Sequence, residues 1–97
     1  MTEPGWTFLS NHGHVMVCLR RDLDARVRDI AVAVGLTERA VASILRDLVE
    51  AGYVEKERLG RRNHYMLHPE LPMRHPLEEG HVLGELLGAI SPQQELP

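Results

Sequence analysis

The spacing around Gly35 constrains this chain more than any other feature. Ile30, Ala31 and Val34 fall at i, i+1 and i+4, which lines one side of a short helix. Gly35 ends it, because glycine readily takes the left-handed backbone that a helix terminus needs. Thr37 is a good cap for a second helix. In that helix Val41, Ile44, Leu45, Leu48 and Val49 sit at i, i+3, i+4, i+7 and i+8, one apolar stripe. Gly52 closes it. Two helices joined by so short a turn cross closely only where a small side chain stands between them. Ala31 is that side chain, and Leu36, Val41 and Ile44 fill the angle behind it.

A hairpin comes directly after the second helix. Tyr53 to Arg58 alternates, with Lys56 and Arg58 spaced by two, and Leu59-Gly60-Arg61-Arg62 forms a tip containing glycine. Asn63 to Leu67 returns as the second strand, and Pro69 ends it. A helix pair joined to a basic two-stranded hairpin predicts an α+β, mainly α, architecture: a winged helix-turn-helix with a two-stranded wing.

The flanks are read from the same signals. Ser10 or Asn11 caps a helix running to about Arg21. Its continuous apolar run Val15–Leu19 suits strand or helix by period alone. The flanks from Asn11 to Asp22 exceed a typical strand and favour helix. Cys18 within it is read as a small buried hydrophobe. Asp22–Asp24 is a turn, and Ala25-Arg26-Val27 is expected to add a stub of strand. Trp6 and Phe8 are expected to pin a short amino-terminal arm onto the body.

Residues 68–76 hold three prolines and read as an extended linker. Pro76 suits a first helical turn, with Glu78 and Glu79 complementing the helix dipole. One helix is expected from there to about Ile90, stopped by Pro92. Leu83, Leu86, Leu87 and Ile90 form its stripe, and Gly80, Gly84 and Gly88 recur every fourth residue beside it. Glycine inside a helix costs about 1 kcal/mol relative to alanine, and close approach of a partner helix is a reason to accept that cost. These seven residues are the expected homodimer interface. The chain thus divides into a winged helix-turn-helix domain with its arm, 1–70, and a linker with a carboxyl-terminal dimerisation helix, 71–97.

Length and composition narrow the classes. Ninety-seven residues make one domain, and a core this small often gains stability from a second subunit. There is no run of about 18 apolar residues to span a membrane. The segment Met1–Gly5 lacks the apolar stretch of a signal peptide. A single cysteine, Cys18, excludes an intrachain disulfide and suits a reducing cytoplasm. The net charge of −3 is unevenly spread. Residues 1–36 balance four arginines against four acids, and residues 37–65 carry six basic against five acidic residues. Residues 66–97 set Arg74 against five glutamates. For a polyanionic partner the local field at the contacting face matters, not the sum.

The stretch from Val27 to Leu67, including "RDIAVAVGLTERAVASILRDLVEAGYVEKERLGRRNHYML", resembles the DNA-binding core of bacterial winged-helix transcriptional regulators of the MarR and ArsR type. The resemblance implies that the second helix of the pair enters the major groove of double-stranded DNA. It implies that the wing, within residues 56–64, touches the backbone or minor groove. Dimerisation helices at either end are implied more weakly.

The chemistry of the outward residues agrees with those roles. Glu38, Arg39, Ala42, Ser43 and Arg46 lie on the side opposite the apolar stripe. Arginine bridges guanine acceptors bidentately, so Arg39 is the candidate for base readout. Thr37 and Ser43 suit a phosphate or a base edge, and Arg46, further along, a phosphate. Glu38 can accept from a cytosine amino group or simply complement the helix dipole. On the wing, Lys56, Arg58, Arg61, Arg62 and His64 are candidates for gripping phosphates or a narrow minor groove.

Two other readings compete. Six histidines (His12, His14, His64, His68, His75, His81) raise a metal-sensing ArsR-like repressor, although one cysteine is few for a soft-metal site. A winged-helix protein-interaction module that never touches DNA is the other, since Asp47 and Glu50 accompany Glu38 on the second helix. An enzyme is not expected: there is no phosphate-binding glycine loop and no nucleophile with a base at suggestive spacing. No cofactor or metal is assigned, and no small-molecule effector is named.

Overall fold

End residues set the three amino-terminal helices. In the computed structural model, which describes residues 5–91, α1 spans Asn11–Arg21, α2 Val27–Val34 and α3 Glu38–Glu50. Ser10 caps α1, its hydroxyl oxygen accepting the Gly13 N–H at 3.2 Å. Thr37 caps α3 by accepting the Ala40 N–H at 3.0 Å. Each cap satisfies an amide the helix itself leaves unpaired. Gly35 has φ 86°, and its N–H returns to the Ala31 carbonyl at 2.8 Å. That left-handed residue closes α2 and redirects the chain into α3, as the spacing requires.

The helices bury the faces their patterns select. Val15, Leu19, Ile30, Ala31, Val41, Ile44, Leu45 and Leu48 form one core. Val49 is the exception in the α3 stripe, left 39% exposed. Each residue turns about 100° around a helix, so Val49 sits at the edge of a stripe wider than its neighbours cover.

The hairpin is as expected. Strands β1, Val54–Leu59, and β2, Arg62–Leu67, pair antiparallel from Val54↔Leu67 to Leu59↔Arg62. A two-residue turn, Gly60-Arg61, joins them, with φ 65° at Gly60, matching the preference for glycine at the first turn position. Val54 and Tyr65 share the sheet face turned to the helices and are buried there. The expected strand stub at Ala25-Arg26-Val27 does not form. Val27 already begins α2, and the segment before it makes a single backbone link to the hairpin, from the Tyr65 N–H to the Leu23 carbonyl at 2.9 Å.

Two further expectations are corrected. The helix from Pro76 to Ile90 is broken. A 3-10 turn covers Pro76–Glu78, Gly80 has φ 86°, Val82 bridges back to Pro72, and only Leu83–Ile90 is helical, as α4. Gly80 is therefore a turn residue and belongs to no helical ridge. Gly84 does make a close approach, but within its own chain: its N–H donates to the Pro69 carbonyl at 2.8 Å. A Cβ there would lie 3.2 Å from Pro69. Leu83 and Leu87 are buried in the common core, where α4 packs on α1, so neither is free to meet a second subunit. Leu86 is half-buried, Ile90 is 40% exposed, and Gly88 has open space where a side chain would stand.

The aromatic arm is the second correction. Trp6 is 71% and Phe8 93% exposed. They meet each other edge to face, centroids 4.9 Å apart, while Leu9 is the arm residue that packs on the core. Pro92, expected to stop the last helix, lies outside the described residues.

Candidate nucleic-acid interface

Burying Val41, Ile44, Leu45 and Leu48 forces the opposite side of α3 outward. Arg39, Ala42, Ser43 and Arg46 are all exposed there, with Glu38 and Thr37 at the amino-terminal end. Arg39, Ser43 and Arg46 stand at i, i+4 and i+7, one line along the helix. The Thr37 oxygen is committed to its cap, which leaves the hydroxyl proton for an acceptor such as a phosphate oxygen.

Sheet register separates the wing residues that the sequence groups together. Lys56 and Arg58 share one face with Val54, opposite Tyr65 and Asn63. Arg62 and His64 lie on the other face with Glu55, Glu57 and Met66. Arg61 occupies the turn. Arg58 donates through Nε to the Gly60 carbonyl at 3.3 Å, bracing the tip. His64 is drawn inward: its Nδ1 is 2.8 Å from an Asp24 carboxylate oxygen. It thus ties the wing to the loop before α2.

One cationic residue escapes a reading of the sequence. Arg26, at the start of α2, lines a cleft of about 220 Å³ together with Arg61 and Arg62. Asp24, Asn63 and Tyr65 contribute to the same cleft. Arg26 and Arg28 form a basic pair at the first helix of the turn, which is the signal that could have flagged them. The proximity of Arg26 to the wing tip is a tertiary fact that no local spacing reveals.

The charge pairing has a consistent sense. Among the described residues, every carboxylate–cation contact within 4.0 Å uses a histidine: His12–Asp47, His64–Asp24, His68 with Glu55 and Glu70, and His81–Glu85. Arg39, Arg46, Lys56, Arg58, Arg61 and Arg62 are thus left without a carboxylate partner among those residues. Asp47, one of the acids that dilute the positive charge of α3, is held by His12 of α1 at 2.8 Å. The hydrogen bond that His68 donates to the Glu55 carboxylate raises the His68 pKa above the ordinary histidine value, helped by Glu70. His81, hydrogen-bonded to Glu85, holds that carboxyl below its usual range.

These pairings bear on the histidines as ligands. His75 accepts the Leu77 N–H at 3.0 Å and caps the 3-10 turn. No group of three or more His, Cys, Asp or Glu side chains suited to a metal ion gathers among the described residues. Burial pushes the Cys18 thiol up, away from the thiolate that a nucleophile or soft-metal ligand needs. No helix of the described residues is long and apolar enough to cross a membrane.

A glycine-turned helix pair followed by a two-stranded hairpin defines a winged helix-turn-helix, and that is the fold of this chain. Residues 11–55 match the family model described as winged helix-turn-helix DNA-binding. The match takes in the three amino-terminal helices and ends as β1 begins. Among solved structures the chain is similar to MepR, a transcription regulator of the Staphylococcus aureus multidrug efflux pump MepA. The identity is 23% and the TM-score 0.56, over 63% of this chain and 47% of MepR. The chain therefore spans about half the length of that structure. No curated protein matches it.

Proposed function

We propose that this chain is a sequence-specific, double-stranded DNA-binding regulator of transcription that acts as a homodimer in the cytoplasm. Residues 37–51 enter the major groove, and the wing, 53–67, rests on the backbone or in the minor groove. The observation that carries this reading is the row of exposed arginines on α3 and the wing tip without carboxylate partners among the described residues, on a fold whose family model is described as DNA-binding. An exposed guanidinium suits a polyanion, because each phosphate it neutralises releases a condensed counterion. The likeness to MepR, itself a transcription regulator, supports regulation as the outcome of binding. A twofold dimer matches a pseudo-palindromic operator with half-sites about 10 base pairs, or a multiple, apart.

The roles divide by position. Arg39 stands in the first turn of α3 and reads a base edge, while Arg46, two turns on, holds a phosphate. Arg26, Arg61 and Arg62 grip the backbone from the wing side. Replacing Arg61 and Arg62 together with alanine is expected to weaken binding to all sequences. The plot of log affinity against log salt should flatten by about one unit for each phosphate no longer neutralised. An unchanged slope, measured by fluorescence anisotropy on duplex DNA, would remove the wing from the interface.

A further inference from the structure

With Leu83 and Leu87 buried in their own subunit, a dimer needs another apolar surface, and the molecule has one. A groove of about 570 Å³ opens between α1, α3 and the segment leading into α4. Met16, Leu48, Ala51, Tyr53, Met73 and Leu86 line it. The His12–Asp47 pair, Arg74 and Glu78 stand among its polar lining. At its edge Phe8, paired with Trp6, projects into solvent. Half of the four aromatic residues in the chain are therefore spent outside the core, next to a groove that side chains of their kind would fill.

The arm does not fill this groove in its own chain. The Thr7 hydroxyl donates to the Leu9 carbonyl at 2.6 Å, holding the turn before α1. Leu9 itself lies against the first turn of α1, where a Cβ on Gly13 would be 3.2 Å away. Leu9 thus forms part of the groove's near wall, and the two rings are carried past it.

We infer that two copies of this chain associate by exchanging arms, Trp6 and Phe8 of each seating in the apolar groove of the other. The area is sufficient. A buried Trp or Phe removes about 150–250 Å² from water, and a symmetric exchange buries four such rings with a matching area of groove wall. With Trp6 71% and Phe8 93% exposed beforehand, the total comes to about 1,000–1,600 Å², which reaches the size of a standard specific interface. Among the described residues the most exposed large apolar side chains outside the arm, Val32, Leu59 and Leu77, are separate in sequence and offer no comparable pair. The inference rests on the homodimer reading and supplies the surface that reading needs.

Sedimentation equilibrium without DNA tests it, with Trp6, the single tryptophan, as an internal probe. The expected result at micromolar concentration is twice the mass of the 11.0 kDa chain, with Trp6 emission moving to shorter wavelength as the dimer forms. Trp6→Ser with Phe8→Ser removes the arm's rings. Ala51→Arg, at an exposed position where α3 ends, obstructs the groove without touching the core. Each variant should dimerise about thirtyfold more weakly or worse. Mixing the two variants should restore association in part, above either variant alone, because one of the two contacts is then made by an intact arm and an intact groove. A wild-type monomer, a ring-less variant that dimerises as well as wild type, or variants that stay apart when mixed would each overturn the exchange. Duplex binding is measured separately. A dimer that ignores DNA would count against DNA binding while leaving arm exchange standing, and a DNA-binding monomer would overturn both the exchange and the homodimer while leaving DNA binding standing.

Discussion

Helices α3 and α4 carry the same kind of apolar stripe and use it in different ways. In α3 the stripe packs on the other helices, and the side it leaves bare holds Arg39, Ser43 and Arg46. In α4 Leu83 and Leu87 close the core against α1, and the bare side holds Glu85 and Ala89. A stripe therefore states which side of a helix is buried and says nothing of what covers it. For α3 the turn at Gly35 supplies the partner locally. For α4 the partner, α1, lies far earlier in the chain, and the prolines between give no hint of the return.

The largest effect that can break this contrast is on stability. Leu87→Ala empties a fully buried site and should cost about 2–5 kcal/mol, read from urea unfolding. Leu86→Ala, on the half-buried side, should cost about 1 kcal/mol. If Leu87→Ala proves as mild as Leu86→Ala, α4 is not part of the core.

The glycines of α4 sharpen the contrast at smaller scale. Gly84→Ala forces a methyl against the Pro69 side chain and carbonyl and should destabilise by about 1–3 kcal/mol. Gly88→Ala meets open space inside a helix and should stabilise by about 0.4–1 kcal/mol. Thermal shifts of the reverse sense would mean that Gly88, not Gly84, makes the close approach.

The smallest effect concerns the base of the wing, where His68 of the linker links Glu55 of β1 to Glu70. Its folded pKa is raised, so the stabilisation is fully present below the ordinary histidine value of about 6.5. It is lost as pH climbs through the higher folded value. His68→Gln should therefore lower Tm at pH 6 and make progressively less difference toward pH 9. A difference that widens with pH would show that the clip does not depend on protonated histidine.

The fold is legible wherever a local rule ends an element. Ser10, Gly35, Thr37 and Gly60 each act through a cap or a positive φ, and each stands where its rule puts it. The outward row on α3 follows from the buried one by geometry alone. The failures share a different cause. Trp6 and Phe8 read as part of the body because aromatic residues are usually buried, a preference that does not specify within which chain. Gly80, Gly84 and Gly88 share a helical spacing, but a left-handed residue at Gly80 ends the register before it starts. Arg26 joins Arg61 and Arg62, and His64 joins Asp24, across wide gaps in sequence, meetings that only the packed structure creates.

If the bare side of α3 reads duplex DNA, Arg39 is the residue whose loss shows it. Bound sites would first be selected from random duplexes with the wild-type protein. Affinities of wild type and Arg39→Ala would then be compared across single-base variants of the selected site. The variant is expected to lose about 1–3 kcal/mol on the preferred site and to discriminate less at one base pair per half-site. Uniform weakening on every duplex, or selection that enriches no sequence at all, would contradict it.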